Sequence, residues 1–236
     1  MLHIQSILLS CFAIALLASC STEPACQNRI RYVSGADSTP VFYMDISKHP
    51  DTLREEVKRL YKTDPCELCD KVDFKIPFVI EGQNSYLNAT ADFSNCSPCP
   101  VAMRIEYYFP IQPFLSDSLI IGQTIISPDS LGPSIQKYLS SVGKEESAPK
   151  KFTQVYYLVT WQQNSSTEKL NSILSTIYKT HLAFVESELE KQGFEFCKLN
   201  KTDLAKVQQK YPLNIEFDLG KIAKSGPPNH LLSKEK

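Results

Sequence analysis

The chain has 236 residues, a formal net charge of −1, 42% hydrophobic residues and only 8 glycines. Near-neutral charge gives no electrostatic drive toward nucleic acid or anionic lipid, and the apolar fraction excludes a chain that stays unfolded in isolation.

Residues 1–19 contain no Lys, Arg, Asp or Glu and carry an apolar run from Ile7 to Leu17. That run is too short and too early for an ordinary membrane span, so it reads as an export signal. It closes on Leu17-Ala18-Ser19-Cys20, which resembles the lipobox of bacterial lipoproteins. The resemblance covers these first residues alone. It implies cleavage before Cys20, acylation of Cys20 and attachment to a membrane through the lipid. Ser21 stands where an Asp would imply retention at the inner membrane, so the implied destination is the outer membrane of the cell envelope. Cleavage leaves about 217 residues, enough for one large domain or two small ones with a real core.

Cys20 to Thr39 is rich in Ser, Thr, Pro and Asn, shows no period, and is expected to be a loose tether. Val41 to Ile46 reads as a short strand opening a β-rich region over 40–143. His49-Pro50-Asp51 starts a helix with Leu53, Val57, Leu60 and Tyr61 on one face, ending before Pro65. Cys66-Glu-Leu-Cys69 follows. Phe74, Ile76, Phe78 and Ile80 alternate along a strand, Glu81 to Asn84 is a turn, and Tyr86 to Phe93 is the return strand. After Cys96-Ser-Pro-Cys99, alternation from Val101 to Phe109 predicts a third strand. An up-down-up meander brings both CxxC pairs to one end of the sheet. Pro77, with no N–H to donate, belongs on an edge. Leu119 to Ile126 is the next strand, and a helix starting at Ser127-Pro128 or Gly132-Pro133 runs to Leu139, with Gly143 as its cap.

Lys144 to Lys151 reads as a linker or long loop. The α/β region at 152–220, a second domain or a continuation of the first, has the order β-α-β-α-β. Phe152 to Trp161 is apolar on both faces, as in a central strand. Ser165 and Glu168 suggest a capping box for the longest helix, which ends near Gln192 before Gly193. Its stripe is Leu170, Ile173, Leu174, Ile177, Tyr178, His181, Phe184, Val185 and Leu189. Phe194 to Leu199 is expected to be a strand, Thr202 to Lys210 a helix, and Leu213 to Leu219 a last strand. Residues 221–236 form a polar tail. The whole is an α+β fold: an antiparallel meander followed by an α/β region with one long helix.

Of the 8 cysteines, Cys11 leaves with the signal and Cys20 carries the lipid. Cys26, Cys66, Cys69, Cys96, Cys99 and Cys197 remain, an even set that suggests disulfides in an exported chain. Cys66, Cys69, Cys96 and Cys99 can form two structural disulfides, a four-thiolate zinc site or a redox-active pair. Export favours the disulfides, with zinc the alternative cofactor and otherwise none expected. Cys26 and Cys197 are the other candidate disulfide. His181, amid an apolar stripe without Cys, Asp or Glu at ligand spacing, reads as a satisfied core histidine. His49 and His230 show no partners. No phosphate loop, GxSxG, HExxH or dinucleotide-binding turn occurs. The expected function is that of a lipid-anchored envelope protein binding a ligand or another envelope protein, or giving structural support, without catalysis. The alternative is a thiol redox or metal-binding protein built on the four clustered cysteines.

Overall fold

The computed structural model describes residues 26–34, 42–47, 50–62, 71–92, 107–114, 117–161 and 166–218. Within them lie eight strands: β1 (Phe42–Tyr43), β2 (Lys71–Ile80), β3 (Gln83–Asp92), β4 (Tyr107–Phe114), β5 (Ser118–Ile121), β6 (Thr124–Ile126), β7 (Val155–Thr160) and β8 (Ile215–Asp218). The helices are α1 (Gln27–Ser34), α2 (Pro50–Tyr61), α3 (Leu131–Ser141), α4 (Thr167–Glu190) and α5 (Lys201–Lys210). Among the described residues, no helix is long and apolar enough to cross a membrane.

All eight strands join one mixed sheet in the order β1-β2-β3-β8-β7-β4-β5-β6. β2 and β3 form the expected antiparallel hairpin, in register from Lys71↔Asp92 to Ile80↔Gln83. Its two-residue turn has Glu81 at φ 50° and Gly82 at φ 76°, the left-handed pair that suits the twist of a tight hairpin. β4 does not continue a meander beside β3. The chain's last strand, β8, lies parallel to β3, then β7, then β4. β4 therefore runs opposite to β2, and strands one and three of the expected up-down-up arrangement do not start at the same end. Because β7 and β8 sit between β3 and β4, the 40–143 and 152–220 regions share one sheet and one core.

β1 pairs with β2 only at Phe42↔Phe74 and Tyr43↔Lys75, so the pairing stops short of Pro77. This fits the edge role set by the missing N–H. The crossovers β1-α2-β2, β4-to-β7 through α3, and β7-to-β8 through α4 and α5 link parallel neighbours, and the right-handed rule sends all of them to one face. Residues of that face alternate: Val72, Phe74 and Ile76 of β2, Val155, Tyr157 and Val159 of β7, and Ile215 and Phe217 of β8 are buried against the helices.

α4 is the long helix. Ser166, one residue beyond the expected Ser165, is its N-cap, the side chain accepting from Lys169 N. Its buried stripe is the expected one, with Leu182 added and Phe184 only partly buried. Gly193, at φ 79°, donates to Glu190 O just past the helix. In α2, Val57 is buried but Leu60 is exposed.

Two expectations fail locally. Residues 27–34 are not tether: they form α1, with Tyr32 and Val33 buried. Phe196–Lys198 is not the middle of a strand but a 3-10 turn whose Phe196 is buried. Residues 144–151, expected to be a linker or long loop, are a loop folded compactly on itself, in which Gly143 N donates to Pro149 O and Ala148 is buried.

Candidate functional site

α1 has eight residues, too few to be stable as an isolated helix in water. Tertiary partners hold it. Cys26, at its head, is disulfide-bonded to Cys197 across 171 residues of sequence. The buried Asn28 amide donates to Phe196 O at 3.0 Å and Leu199 O at 2.8 Å, satisfying carbonyls of the 3-10 turn. At the other end, Gln208 Nε2 donates to Arg31 O and Tyr32 O, which have no partner inside so short a helix.

Arg29 projects from α1 between two carboxylates. Its Nε donates to Glu186 Oε1 at 2.7 Å on α4, and its Nη1 bonds Glu81 Oε1 in the hairpin turn. The other oxygen of Glu81 accepts from Cys26 N at 3.0 Å. The bonds to Glu186 first, and to Glu81 second, push the guanidinium pKa still higher, so Arg29 is a permanent cation here. They also hold Glu81 in the left-handed conformation that a non-glycine residue adopts reluctantly. Beside this triad opens a groove of about 500 Å³, lined by Arg29, Glu186, Glu190, Phe194, Glu195 and Cys197. Phe194 is 54% exposed. The groove thus offers carboxylates, a locked disulfide and an aromatic ring on one end of the molecule, a surface suited to docking.

The second polar centre is inside. His181 on α4 is fully buried between Tyr157 Oη, 2.9 Å from Nδ1, and Tyr32 Oη, 3.1 Å from Nε2. Tyr32 also donates to Tyr211 O, which assigns the protons: Tyr157 donates to Nδ1, Nε2–H donates to Tyr32, and Tyr32 donates to the carbonyl. Every member is satisfied by neutral imidazole. Burial lowers the imidazole pKa to about 4, opposed by the hydrogen bond to Tyr211 O, and burial raises the phenol pKa of both tyrosines. This is the satisfied core histidine read from the stripe, and it ties three elements together without reaching solvent.

The sheet face opposite the helices carries a third cluster. Glu216 of β8, buried on that face, accepts from Lys71 Nζ at 2.7 Å, and Tyr108 Oη lies 3.4 Å from the same carboxylate. Lys71 Nζ also sits 5.0 Å from the centre of the Tyr156 ring. Toward the hairpin turn the same face exposes Tyr43 against Tyr86, ring centres 4.9 Å apart, and Val79. This face, where exposed Tyr43, Tyr86 and Val79 stand among polar side chains such as Asp73 and Asn88, is a second surface on which a partner can rest.

Of the residues singled out by sequence, Cys26 and Cys197 are brought together as a disulfide. Cys20, Cys66, Cys69, Cys96, Cys99, His49 and His230 lie outside the described residues. Among the described residues, no group of three or more His, Cys, Asp or Glu could hold a metal ion. Sequence reasoning missed the Arg29–Glu81–Glu186 triad and the Lys71–Glu216 pair, whose members are far apart in the chain and share no local motif. No protein-family model, curated protein or solved structure matches the chain.

Proposed function

We propose that this is a lipid-anchored protein of the bacterial cell envelope, held by acylated Cys20 at the outer membrane, whose domain works by binding or structural support without catalysis. The observation that supports it best is the disulfide at Cys26, six residues after the lipobox cysteine. Such bonds persist in oxidising compartments, where a signal of this kind would deliver the chain. The sheet face opposite the helices is a surface for a ligand or an envelope partner, and the buried polar groups described here are taken up in holding elements together. Cys20→Ala is expected to release the protein from membranes, and an alkyne fatty acid should label wild type but not this variant. Labelling that survives the substitution would refute the anchor.

A second reading, a thiol redox or metal-binding envelope protein, draws support from one feature of the hairpin. Lys71 and Asp92 are partners in register, so the segments bearing Cys66, Cys69, Cys96 and Cys99 join the sheet on neighbouring strands at one end. A bond from Cys66 or Cys69 to Cys96 or Cys99 would close a loop of roughly thirty residues. Non-reducing peptide mapping with metal analysis distinguishes the cases: cross-linked peptides without zinc support structural disulfides, one stoichiometric zinc with free thiols a metal site, and bonds within each CxxC the redox reading.

A further inference from the structure

The chain between Cys20 and the fold is short. With residues 27–34 folded as α1 and Cys26 bonded to Cys197, six residue steps separate the lipidated position from the first fixed residue, a reach of at most about 20 Å. Cys26 is also fixed at a definite end of the molecule. Its N–H is bonded to Glu81 in the β2–β3 turn, Arg29 ties that turn to Glu186 near the end of α4, and Phe194 stands three residues before Cys197. Phe194 is 54% exposed and Val79, two residues from the turn, 60% exposed. The opposite end of β2, at Lys71, lies ten residues away along the strand, roughly 33 Å.

Resting on the acylation of Cys20, we propose that the domain stands end-on against the bilayer, with the Glu81–Gly82 turn and Phe194 in the zwitterionic headgroup layer and Lys71 and Asp92 pointing away from it. A reach of about 20 Å is less than the strand's own length, so the domain cannot turn over to present its far end while the lipid stays inserted. Phe194 is a ring of the kind that settles at the boundary between headgroups and acyl chains. Anionic lipid is not the partner. The cations Arg29, Lys191 and Lys198 at this end are each paired with a carboxylate, Arg29 with Glu81 and Glu186, Lys191 with Glu188 and Lys198 with Glu195, so they offer no free positive charge to an anionic headgroup.

The test uses the full, acylated chain purified from membranes and reconstituted in vesicles of phosphatidylcholine, part of it bromine-labelled. Phe194→Trp places a reporter at the anchored end and Asp73→Trp one at the far end, both at exposed positions. The native Trp161, buried at 5% exposure beside Asp218, supplies the blank from unsubstituted protein. The bromine label should quench the anchored-end reporter by roughly half and leave the far-end reporter unaffected. Equal quenching of both reporters, or none at the anchored end in protein whose intact mass carries the lipid at Cys20, overturns the orientation. A mass without lipid overturns the anchor itself, and the orientation with it.

Discussion

Tyr157 Oη stands 2.9 Å from His181 Nδ1, joining a central strand to the long helix through a ring that has no access to water. The imidazole pKa falls to about 4 in the folded state, against 6.5 when the ring is free. Acid therefore protonates the unfolded chain first. The stability that neutral His181 contributes is intact above pH 6.5 and is lost as pH falls toward 4, by about 2 kcal/mol between pH 7 and pH 5. His181→Gln keeps a donor and an acceptor but does not titrate. Urea unfolding of the two proteins at both pH values should show the variant less stable at pH 7 but with a shallower loss on acidification. Parallel losses would mean that His181 is protonated, or reached by water, in the native state.

Asn28 is the residue on which α1 depends most. Asn28→Ala leaves the carbonyls of Phe196 and Leu199 buried without their donor, an expected cost of about 2 kcal/mol in chemical denaturation. Asn28→Asp should cost more, since a carboxylate faces the same two oxygens and can donate to neither while ionised. Hydrogen exchange in α1 and at Leu199 should accelerate in both variants, while the β2–β3 hairpin stays protected.

The Cys26–Cys197 bond closes most of the domain into one loop. Replacing both cysteines by Ser should lower stability by about 2–5 kcal/mol, with the upper end set by the loop of 171 residues in the chain-entropy view. The loss should concentrate at the α1 end, detected as faster proteolysis at Arg29 and Arg31. A double variant as stable as wild type would mean that α1 is held by its hydrogen bonds alone.

How much of this is legible in the sequence follows the range of each interaction. α4 announces itself because its stripe, its Ser-rich start and Gly193 act within a few residues, and the hairpin turn because Glu81-Gly82 lies between two alternating runs. Strand order is not legible. It is decided by which apolar faces meet across long sequence separations, and nothing local in Ile215 to Asp218 says that this strand inserts beside β3. α1 escapes notice because its polar eight residues have little intrinsic reason to be helical. Its support comes from Cys197, Phe196 and Gln208. Six cysteines allow fifteen pairings, and spacing alone does not choose the one that joins Cys26 to Cys197. The Arg29 triad depends on α1, so it is hidden for the same reason.

One tryptic species carries both halves of the proposed attachment. Cleavage after Arg29, Lys191 and Lys198 leaves Cys20–Arg29 joined to Gln192–Lys198 if signal processing, acylation and the Cys26–Cys197 bond all hold. Mass spectrometry of unreduced protein extracted from membranes is expected to find this pair as a single ion that bears acyl chains on Cys20 and separates into its two peptides on reduction. A peptide that continues upstream of Cys20, or one that begins at Cys20 without lipid or with Cys26 as a free thiol, would contradict it.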